Sequence, residues 1–278
     1  MFKIARAAKH YYEEPVISGQ NGSGAIFFSG CNLNCVFCQN FEISHGKKGI
    51  EVDEEQLAAI MLHLQEQGAH NINLVTPSLY VERLRLALIE AKEGGLKIPV
   101  VYNTSAYERV ETLEKLQGLI DIYLPDLKFA DNQTAARYTC APNYFDVAIK
   151  AIAEMRRQQP DDIFNGDFIM QRGVIVRHLI LPSNIQNSKK VFEHIAALDK
   201  SLYVSVMSQY FVPKAADLSK FPELSRRITQ EEYDTAMAHF FSAGLYNGFT
   251  QDLDSAVEEY VPDFDTRELE LLLKSLKK

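Results

Sequence analysis

Short apolar runs alternate with segments of helical periodicity through most of this chain of 278 residues. The runs are bounded by Gly, Pro, Asn or Ser, which is typical of strands in a parallel sheet covered on both faces. We predict six such strands, at residues 25–29, 72–76, 100–104, 120–124, 174–181 and 203–207. Each is followed by a helical segment, so the crossovers are right-handed. The pattern predicts an α/β fold in a single domain and favours a curved, partial (β/α)6 barrel over a flat doubly wound sheet, although periodicity alone does not separate the two.

Capping signals mark where several of the helices begin and end. Asp53 is followed by Gln56 three residues later, and Gly68 stands where that helix would end. Thr229 and Glu232 form a second capping-box signature. Further helices are predicted at residues 81–92, 109–116, 145–156, 188–198, 230–242 and, as a terminal amphipathic helix, 265–278.

We divide the chain into an N-terminal extension (1–20), a barrel (21–262) and a C-terminal amphipathic helix (263–278). Folds of this class carry their chemistry beyond the carboxyl ends of the parallel strands. Polar residues that follow the predicted strands are therefore the candidate site residues.

Charge and composition argue against two classes of protein. The net charge of −8 argues against a protein built mainly to bind the nucleic-acid backbone. No apolar run approaches the roughly 20 residues that span a bilayer, and residues 1–6 lack the apolar region of a secretory signal. We therefore expect a cytoplasmic protein without a membrane partner, in a compartment where thiols stay reduced.

Three of the four cysteines lie close together in the sequence. Cys31, Cys35 and Cys38 follow the first predicted strand with the spacing C-x3-C-x2-C, whereas Cys140 stands alone. Thiolates are soft ligands suited to iron–sulfur clusters, and one short loop can bring three of them to a single cluster. Three cysteines on a four-iron cluster leave one iron without a protein ligand. Such an open coordination site is what a catalytic metal centre needs.

The cysteine spacing leaves other interpretations open. A structural zinc ion would use the three clustered cysteines and His45, since three Cys and one His are a known tetrahedral set. Cys35 and Cys38 would alternatively form a thiol–disulfide redox pair, or all the cysteines would be inert core residues. A simple electron carrier would need a fully ligated cluster. Lone cysteines such as Cys140 are typically buried small apolar residues.

The cysteine motif, with the aromatic residue Phe37 before its last cysteine, resembles the defining motif of the radical S-adenosylmethionine (SAM) superfamily. The resemblance implies a [4Fe–4S] cluster on Cys31, Cys35 and Cys38, with the amino and carboxylate groups of SAM on the open iron. It further implies reductive cleavage of SAM to a 5′-deoxyadenosyl radical that abstracts hydrogen from a substrate. In such an enzyme the protein supplies orientation and excludes water and oxygen.

The resemblance extends beyond this motif. Residues 13–31 are similar to radical SAM proteins related to pyruvate formate-lyase-activating enzymes. Asp126-Leu-Lys128 matches an Asp-Leu-Lys element of those enzymes, which implies that Lys128 contacts the SAM carboxylate as a fixed cation. Residues 177–182 resemble another of their strands and imply that Arg177 contacts SAM or substrate. A surface lysine and a structural ion pair inside the barrel are the respective alternatives.

Two segments depart from the activating enzymes. Residues 73–78 replace a Gly-Gly-Glu element that binds the SAM amino group, and leave Thr76 and nearby carbonyls as acceptors. Asn103-Thr-Ser105 stands where an Asp-Thr-Asn element would contact the ribose. Both changes put neutral polar groups in place of acidic ones. Thr76, Asn103 and Ser105 remain candidate SAM contacts, as does Phe37, but these departures give no basis for assigning the activating enzymes' substrate to this chain.

The predicted function is therefore SAM-dependent hydrogen abstraction from a substrate that the sequence leaves open. The substrate would be a glycyl radical enzyme, as in an activase, another peptide or a small molecule. The resemblance also implies a low-potential electron donor such as flavodoxin or ferredoxin. The alternative from another class of protein is a zinc-stabilised, non-catalytic module that binds a partner protein.

Overall fold

Most of the strands run parallel within one sheet. The computed structural model describes residues 1–44, 48–213, 217–251, 253 and 262–276. Within these ranges the strands are β1 (Phe2–His10), β2 (Ser23–Phe28), β3 (Ile50–Val52), β4 (Ile72–Val75), β5 (Val100–Thr104), β6 (Ile122–Pro125), β7 (Ile163–Phe164), β8 (Met170–Leu179), β9 (Tyr203–Met207) and β10 (Gly248–Thr250). Their order is β10-β9-β8-β6-β5-β4-β2-β1-β3, and β7 pairs with β8.

Helices connect the parallel strands. In the described ranges they are α1 (Pro15–Ser18), α2 (Phe41–Ser44), α3 (Glu54–Glu66), α4 (Val81–Glu93), α5 (Val110–Glu114), α6 (Asn132–Thr139), α7 (Tyr144–Gln158), α8 (Ile185–Leu198), α9 (Gln230–Ser242) and α10 (Arg267–Leu276). The six predicted strands correspond to β2, β4, β5, β6, β8 and β9, and all of them pair in parallel. The predicted α/β fold, a partial (β/α)6 barrel, is confirmed.

Several predicted boundaries shift by a few residues. β6 begins at Ile122 and β8 at Met170, against predicted starts at residues 120 and 174. The capping boxes at Asp53 and Thr229 both form. Cys140 is exposed rather than buried, and it stands at the end of α6 with its backbone in the left-handed region at φ +57°. The last two residues of the predicted terminal helix, 277–278, lie outside the described residues.

Strand β1 lies within the predicted N-terminal extension. It pairs antiparallel with β2 and with β3, and so extends the sheet beyond its parallel part. The sequence pattern does not predict this strand because its alanines and charged residues have little β-propensity. The division of the chain into three parts stays a prediction.

A separate part of the core lies on the inner face of the barrel. Val16 and Ile17 of α1 pack there against strand residues, namely Val101, Ile122, Leu124, Met170 and Ile175. The Ile17 carbonyl accepts a hydrogen bond from the Asn71 amide, just before β4 begins. Helix α1 therefore covers the barrel interior near the amino ends of the strands, and the opposite end retains a cavity.

None of the helices in the described ranges has the length and apolar character needed to cross a bilayer.

Candidate active site

The three clustered cysteines lie in the loop that follows β2. All three contribute to the wall of one cavity of about 240 Å³ at the carboxyl ends of the parallel strands. Burial raises the pKa of the Cys35 thiol to about 12, and it also raises the pKa of the Cys31 thiol. A soft metal binds such thiols by displacing their protons. Cys31 and Cys35 are therefore protonated donors that a metal would convert to thiolates.

The cysteine loop is fastened to the end of helix α6. The Asn34 N–H donates to the Thr139 carbonyl at 3.1 Å, and the Val36 N–H donates to the Tyr138 carbonyl at 2.9 Å. Both carbonyls belong to the last turn of the helix, where no intrahelical donor remains for them. The helix end therefore fixes the backbone between the cysteines without using the thiols.

A single metal ion and a cluster place different demands on the three thiols. Among the described residues, no three His, Cys, Asp or Glu side chains form a ligand set for one ion. A zinc ion with ligands at about 2.3 Å needs sulfur atoms only about 3.8 Å apart, whereas the thiolates on a cubane bind different irons. His45, the fourth ligand in the zinc alternative, lies outside the described residues. Three soft donors on one cavity wall fit a cluster.

An ion cluster stands at the carboxyl ends of β6 and β8. Lys128 Nζ donates to Asp126 Oδ2 at 2.6 Å, and Arg177 Nε donates to Asp126 Oδ1 at 2.8 Å. Burial alone would raise the pKa of Asp126, but the two cations outweigh burial and lower it. Lys128 also lines the cavity, near enough to Cys35 to oppose the rise in that thiol's pKa. Its ammonium therefore remains charged and faces the space beside the cysteines.

Arg177 and Asn103 are engaged within the chain. The Arg177 guanidinium donates to Asn103 Oδ1 at 2.6 Å and to Glu13 Oε2 at 3.1 Å, besides its bond to Asp126. Asn103 Nδ2 donates to Glu13 Oε1 at 3.3 Å. Both side chains line the cavity, but their polar atoms already have partners. The arrangement matches the alternative of a structural ion pair, and their contact with SAM stays a prediction.

Glu13 lines the cavity, although no sequence motif indicates it as a site residue. Its carboxylate accepts from Asn73 at 3.0 Å in addition to Asn103 and Arg177. The residue precedes α1, so a long-range fold contact brings it to the site, and no local pattern signals it. It places a carboxylate beside β4, the strand whose end lacks the Gly-Gly-Glu element.

Two strand ends at the cavity carry strained backbone. Thr76 has φ +58° and Ala106 has φ +60°, a region that residues with a Cβ rarely adopt, β-branched ones least. The Ser105 side chain lines the cavity, and its buried Oγ has no hydrogen-bond partner among the described residues. Buried polar atoms normally have partners. This unpaired hydroxyl fits a ligand that occupies the cavity.

Two further buried side chains lie near the cysteine loop and near these strand ends, respectively. Phe37 lies in the cavity wall and packs edge-on against Phe129, with ring centroids 6.2 Å apart. The Glu108 carboxylate accepts from Thr104 Oγ1 at 2.6 Å and from the Ser78 hydroxyl, so it joins the segments that follow β4 and β5. Burial raises the pKa of Glu108. Direct contact between Phe37 and SAM stays a prediction.

Comparison with known protein families agrees with this geometry. The model of the radical SAM superfamily matches residues 25–171, which include the cysteine loop and Lys128. The chain belongs to the radical SAM superfamily. Membership of the superfamily implies an enzyme that uses SAM and an iron–sulfur cluster.

Relatives of this radical SAM protein include activating enzymes. An uncharacterised protein of Methanocaldococcus jannaschii is 32% identical over 227 residues, which are 77% of this chain and 61% of that protein. A pyruvate formate-lyase-activating enzyme of Staphylococcus aureus is 27% identical over 189 residues, which are 63% of this chain and 69% of that enzyme. The predicted resemblance to activating enzymes is confirmed. The chain spans less than two thirds of the length of the M. jannaschii relative.

Solved structures share the fold. Streptococcus suis SuiB bound to its precursor peptide SuiA aligns with a TM-score of 0.54 and 18% identity, over 83% of this chain and 49% of SuiB. SuiB bound to S-adenosylmethionine aligns with a TM-score of 0.52 and 17% identity, over 85% of this chain and 48% of SuiB. At this level of identity the likeness concerns the fold alone.

Proposed function

We propose that this radical SAM protein holds one [4Fe–4S] cluster on Cys31, Cys35 and Cys38 and cleaves SAM reductively. The observation that carries the proposal is a shared cavity, whose wall contains the three thiols, the Lys128 ammonium and the unpaired Ser105 hydroxyl. When both cofactors are bound, an electron from the reduced cluster cleaves SAM to methionine and a 5′-deoxyadenosyl radical, which abstracts a hydrogen atom from the substrate.

The chain's own residues have distinct roles in this proposal. Lys128 binds the SAM carboxylate, and Asp126 keeps the Lys128 ammonium charged and oriented through their 2.6 Å contact. Ser105 donates to or accepts from the ribose hydroxyls, because its Oγ is otherwise unpaired. The strand end at Thr76 offers carbonyls to the SAM ammonium. Phe37 forms an apolar part of the wall and limits the entry of water.

We propose an activase-like hydrogen abstraction, with a glycyl radical enzyme or another peptide as the substrate. Similarity to the activating enzyme of S. aureus supports this choice over a small molecule. A low-potential donor such as flavodoxin or ferredoxin would supply the electron. A cytoplasmic location is proposed because the cluster needs reduced thiols.

Oxygen-free reconstitution of the full chain tests the proposed function. We expect about four irons and about four acid-labile sulfides per chain, and formation of 5′-deoxyadenosine when dithionite and SAM are added. One tightly bound zinc per chain, with no 5′-deoxyadenosine under the same conditions, would instead favour the zinc-stabilised module. Deuterium transfer from labelled candidate substrates into 5′-deoxyadenosine then identifies the substrate class.

A further inference from the structure

Every backbone N–H and carbonyl group of Asp126-Leu-Lys128 takes part in a hydrogen bond. The Asp126 N–H donates to the Thr104 carbonyl at 2.8 Å, and the Leu127 N–H donates to the Arg177 carbonyl at 2.8 Å. Side chains from outside this segment bond the other four groups. A segment held at each donor and acceptor has a fixed position, and here the segment carries the lysine proposed to bind SAM.

Two of the side chains that hold this segment come from β8 and α8. The Leu127 carbonyl lies 2.8 Å from His178 Nδ1, which must therefore be protonated, and the Lys128 carbonyl accepts from Asn187 Nδ2 at 2.9 Å. Burial lowers the pKa of His178 to about 4, so the imidazole is neutral near pH 7. Its Nε2 accepts from the Ser188 hydroxyl at 2.9 Å. His178 thus acts as a structural bridge.

The Tyr144 hydroxyl holds the remaining two groups and reaches a second loop. It accepts the Lys128 N–H at 3.0 Å, and it lies 2.6 Å from the Asp126 carbonyl and 3.0 Å from the Ser105 carbonyl. The side chain is fully buried and is separate from the described cavity wall. A single hydroxyl therefore joins the loop after β5 to the loop after β6.

The loop after β5, which contains Ser105, has a backbone that needs support from its surroundings. Ala106, the next residue, has φ +60°, and strained backbone of this kind persists only where its surroundings hold it. The Tyr144 hydroxyl shares its single hydrogen between the Asp126 carbonyl and the Ser105 carbonyl, and so holds the backbone directly before that strained residue. Without the bond the loop is free to relax, and the Ser105 hydroxyl would shift relative to the Lys128 ammonium.

We propose that Tyr144 is a positioning residue for SAM, whose hydroxyl sets the distance between the Ser105 and Lys128 side chains. The inference rests on the proposed function, since it assumes that these two groups bind SAM. Tyr144 touches neither cofactor and acts through the two loops. Its ring also stacks on Tyr107 and packs edge-on against Phe129, at centroid distances of 6.0 and 6.1 Å. Phenylalanine would keep those contacts.

The test compares Tyr144→Phe with Tyr123→Phe in the full chain. Tyr123 is equally buried, but its hydroxyl donates to Gln158 at 2.6 Å, away from the described cavity wall. The first readout is hydrogen exchange of the Lys128 amide before metal loading, and the second is the Kd for SAM of the iron-loaded chain by equilibrium dialysis. We expect at least tenfold faster exchange and a Kd raised about tenfold in Tyr144→Phe, and less than twofold changes in Tyr123→Phe.

An unchanged Kd in Tyr144→Phe, with or without faster exchange of the Lys128 amide, would overturn the positioning role. If Tyr144→Phe does not fold, Asn187→Ala removes the bond to the Lys128 carbonyl instead. Asn187 and Tyr144 hold the same segment. A SAM affinity equal to wild type in Asn187→Ala would show that fixing this segment does not affect SAM binding, and would count against the inference. Absence of SAM binding by the iron-loaded wild-type chain would refute the proposed function itself, and the two failures are therefore distinguishable.

Discussion

Two ion clusters lie at opposite ends of the barrel strands. The upper cluster, at the carboxyl ends, consists of Glu13, Asp126, Lys128 and Arg177. The lower cluster, near the amino ends of β8 and β9, consists of Arg156, Asp162 and Asp199. All members of the upper cluster line the cavity, whereas the three members of the lower cluster, all of them described, do not.

The comparison separates binding from stability. In the lower cluster, Arg156 donates to Asp162 at 3.1 Å and to Asp199 at 2.8 Å, so it joins the end of α7 to the segments that precede β7 and β9. One cation here serves two carboxylates, and none of the three side chains lines the described cavity. The upper cluster leaves the Lys128 ammonium beside a cavity and three thiols. We infer that substitutions in the upper cluster change the affinity for ligands. Substitutions in the lower cluster should instead change the free energy of unfolding.

The largest effect is expected for Cys35→Ala, which removes one thiol of the upper end. Two cysteines do not hold a cubane with a single open iron, so we expect complete loss of 5′-deoxyadenosine formation, measured by chromatography after oxygen-free reconstitution. Cys140→Ala is the matched control, since Cys140 is exposed at the end of α6 and is separate from the described cavity wall. Activity that survives in the first variant would contradict the ligand assignment.

The second prediction concerns how stability depends on pH near the upper cluster. His178 donates a hydrogen bond to the carbonyl of Leu127, the residue between Asp126 and Lys128. Burial lowers its pKa to about 4 from an ordinary value of 6.5. Below pH 6.5 this histidine becomes protonated in the unfolded chain but stays neutral in the folded chain. The free energy of unfolding therefore falls as the pH falls from 6.5 to 4, by about 3 kcal/mol in all.

Urea unfolding between pH 7 and pH 4 measures this effect. His178→Gln should lose less stability over that interval than wild type, even if it is less stable at pH 7. His194→Gln, at a half-buried histidine of α8, serves as the control. Equal pH dependence in His178→Gln and wild type would show that the imidazole is not held neutral in the folded chain.

The lower cluster provides the third prediction. Arg156→Met removes the cation from two carboxylates and should lower the free energy of unfolding by about 2 kcal/mol, with the Kd for SAM unchanged within twofold. Arg157→Met is the neighbouring control, because its guanidinium is exposed and pairs with Glu154 of the same helix. Urea unfolding and equilibrium dialysis report the two quantities. A weakened SAM affinity in Arg156→Met would contradict the inference that the lower cluster affects stability and not ligand binding.

The smallest effect is expected for Lys128→Met, which keeps the apolar stem and removes the ammonium. Loss of a charge-assisted bond to the SAM carboxylate should raise the Kd for SAM by at least about tenfold. The fold should tolerate the change, because Asp126 retains its bond to Arg177. Lys115→Met removes an exposed lysine that pairs with Glu82 on the surface and should have no effect on SAM binding. Equal affinities in the two variants would argue against Lys128 as a SAM ligand.

Local signals in the sequence predict much of the fold. Strands β5 and β9 and helix α9 begin and end at the predicted residues, since short apolar runs and capping residues act over a few positions. Helix α6 was not predicted, although Asp131 caps it by accepting from the Thr134 N–H at 2.7 Å. A cap without a long apolar stripe is a weak signal in a helix of eight residues.

The residues of the candidate site also differ in how far the sequence indicates them. The cysteines and Lys128 carry motifs at strand ends, and the structure places them in the wall of one cavity. Glu13 and Tyr144 are different, because their roles depend on partners far away in sequence, Arg177 for the first and Ser105 for the second. Spacing within one segment carries no information about such contacts. The sequence motif therefore indicates the candidate site residues, and only the fold reveals the side chains that hold them in place.

The most direct test of the central claim is the electron paramagnetic resonance spectrum of the reduced, iron-loaded chain with and without SAM. If three thiols leave one iron open beside the Lys128 ammonium, SAM should change the cluster signal, and the same addition to Lys128→Met should need a higher SAM concentration. A cubane signal that stays the same at saturating SAM would contradict the account, as would failure to assemble any cubane on Cys31, Cys35 and Cys38.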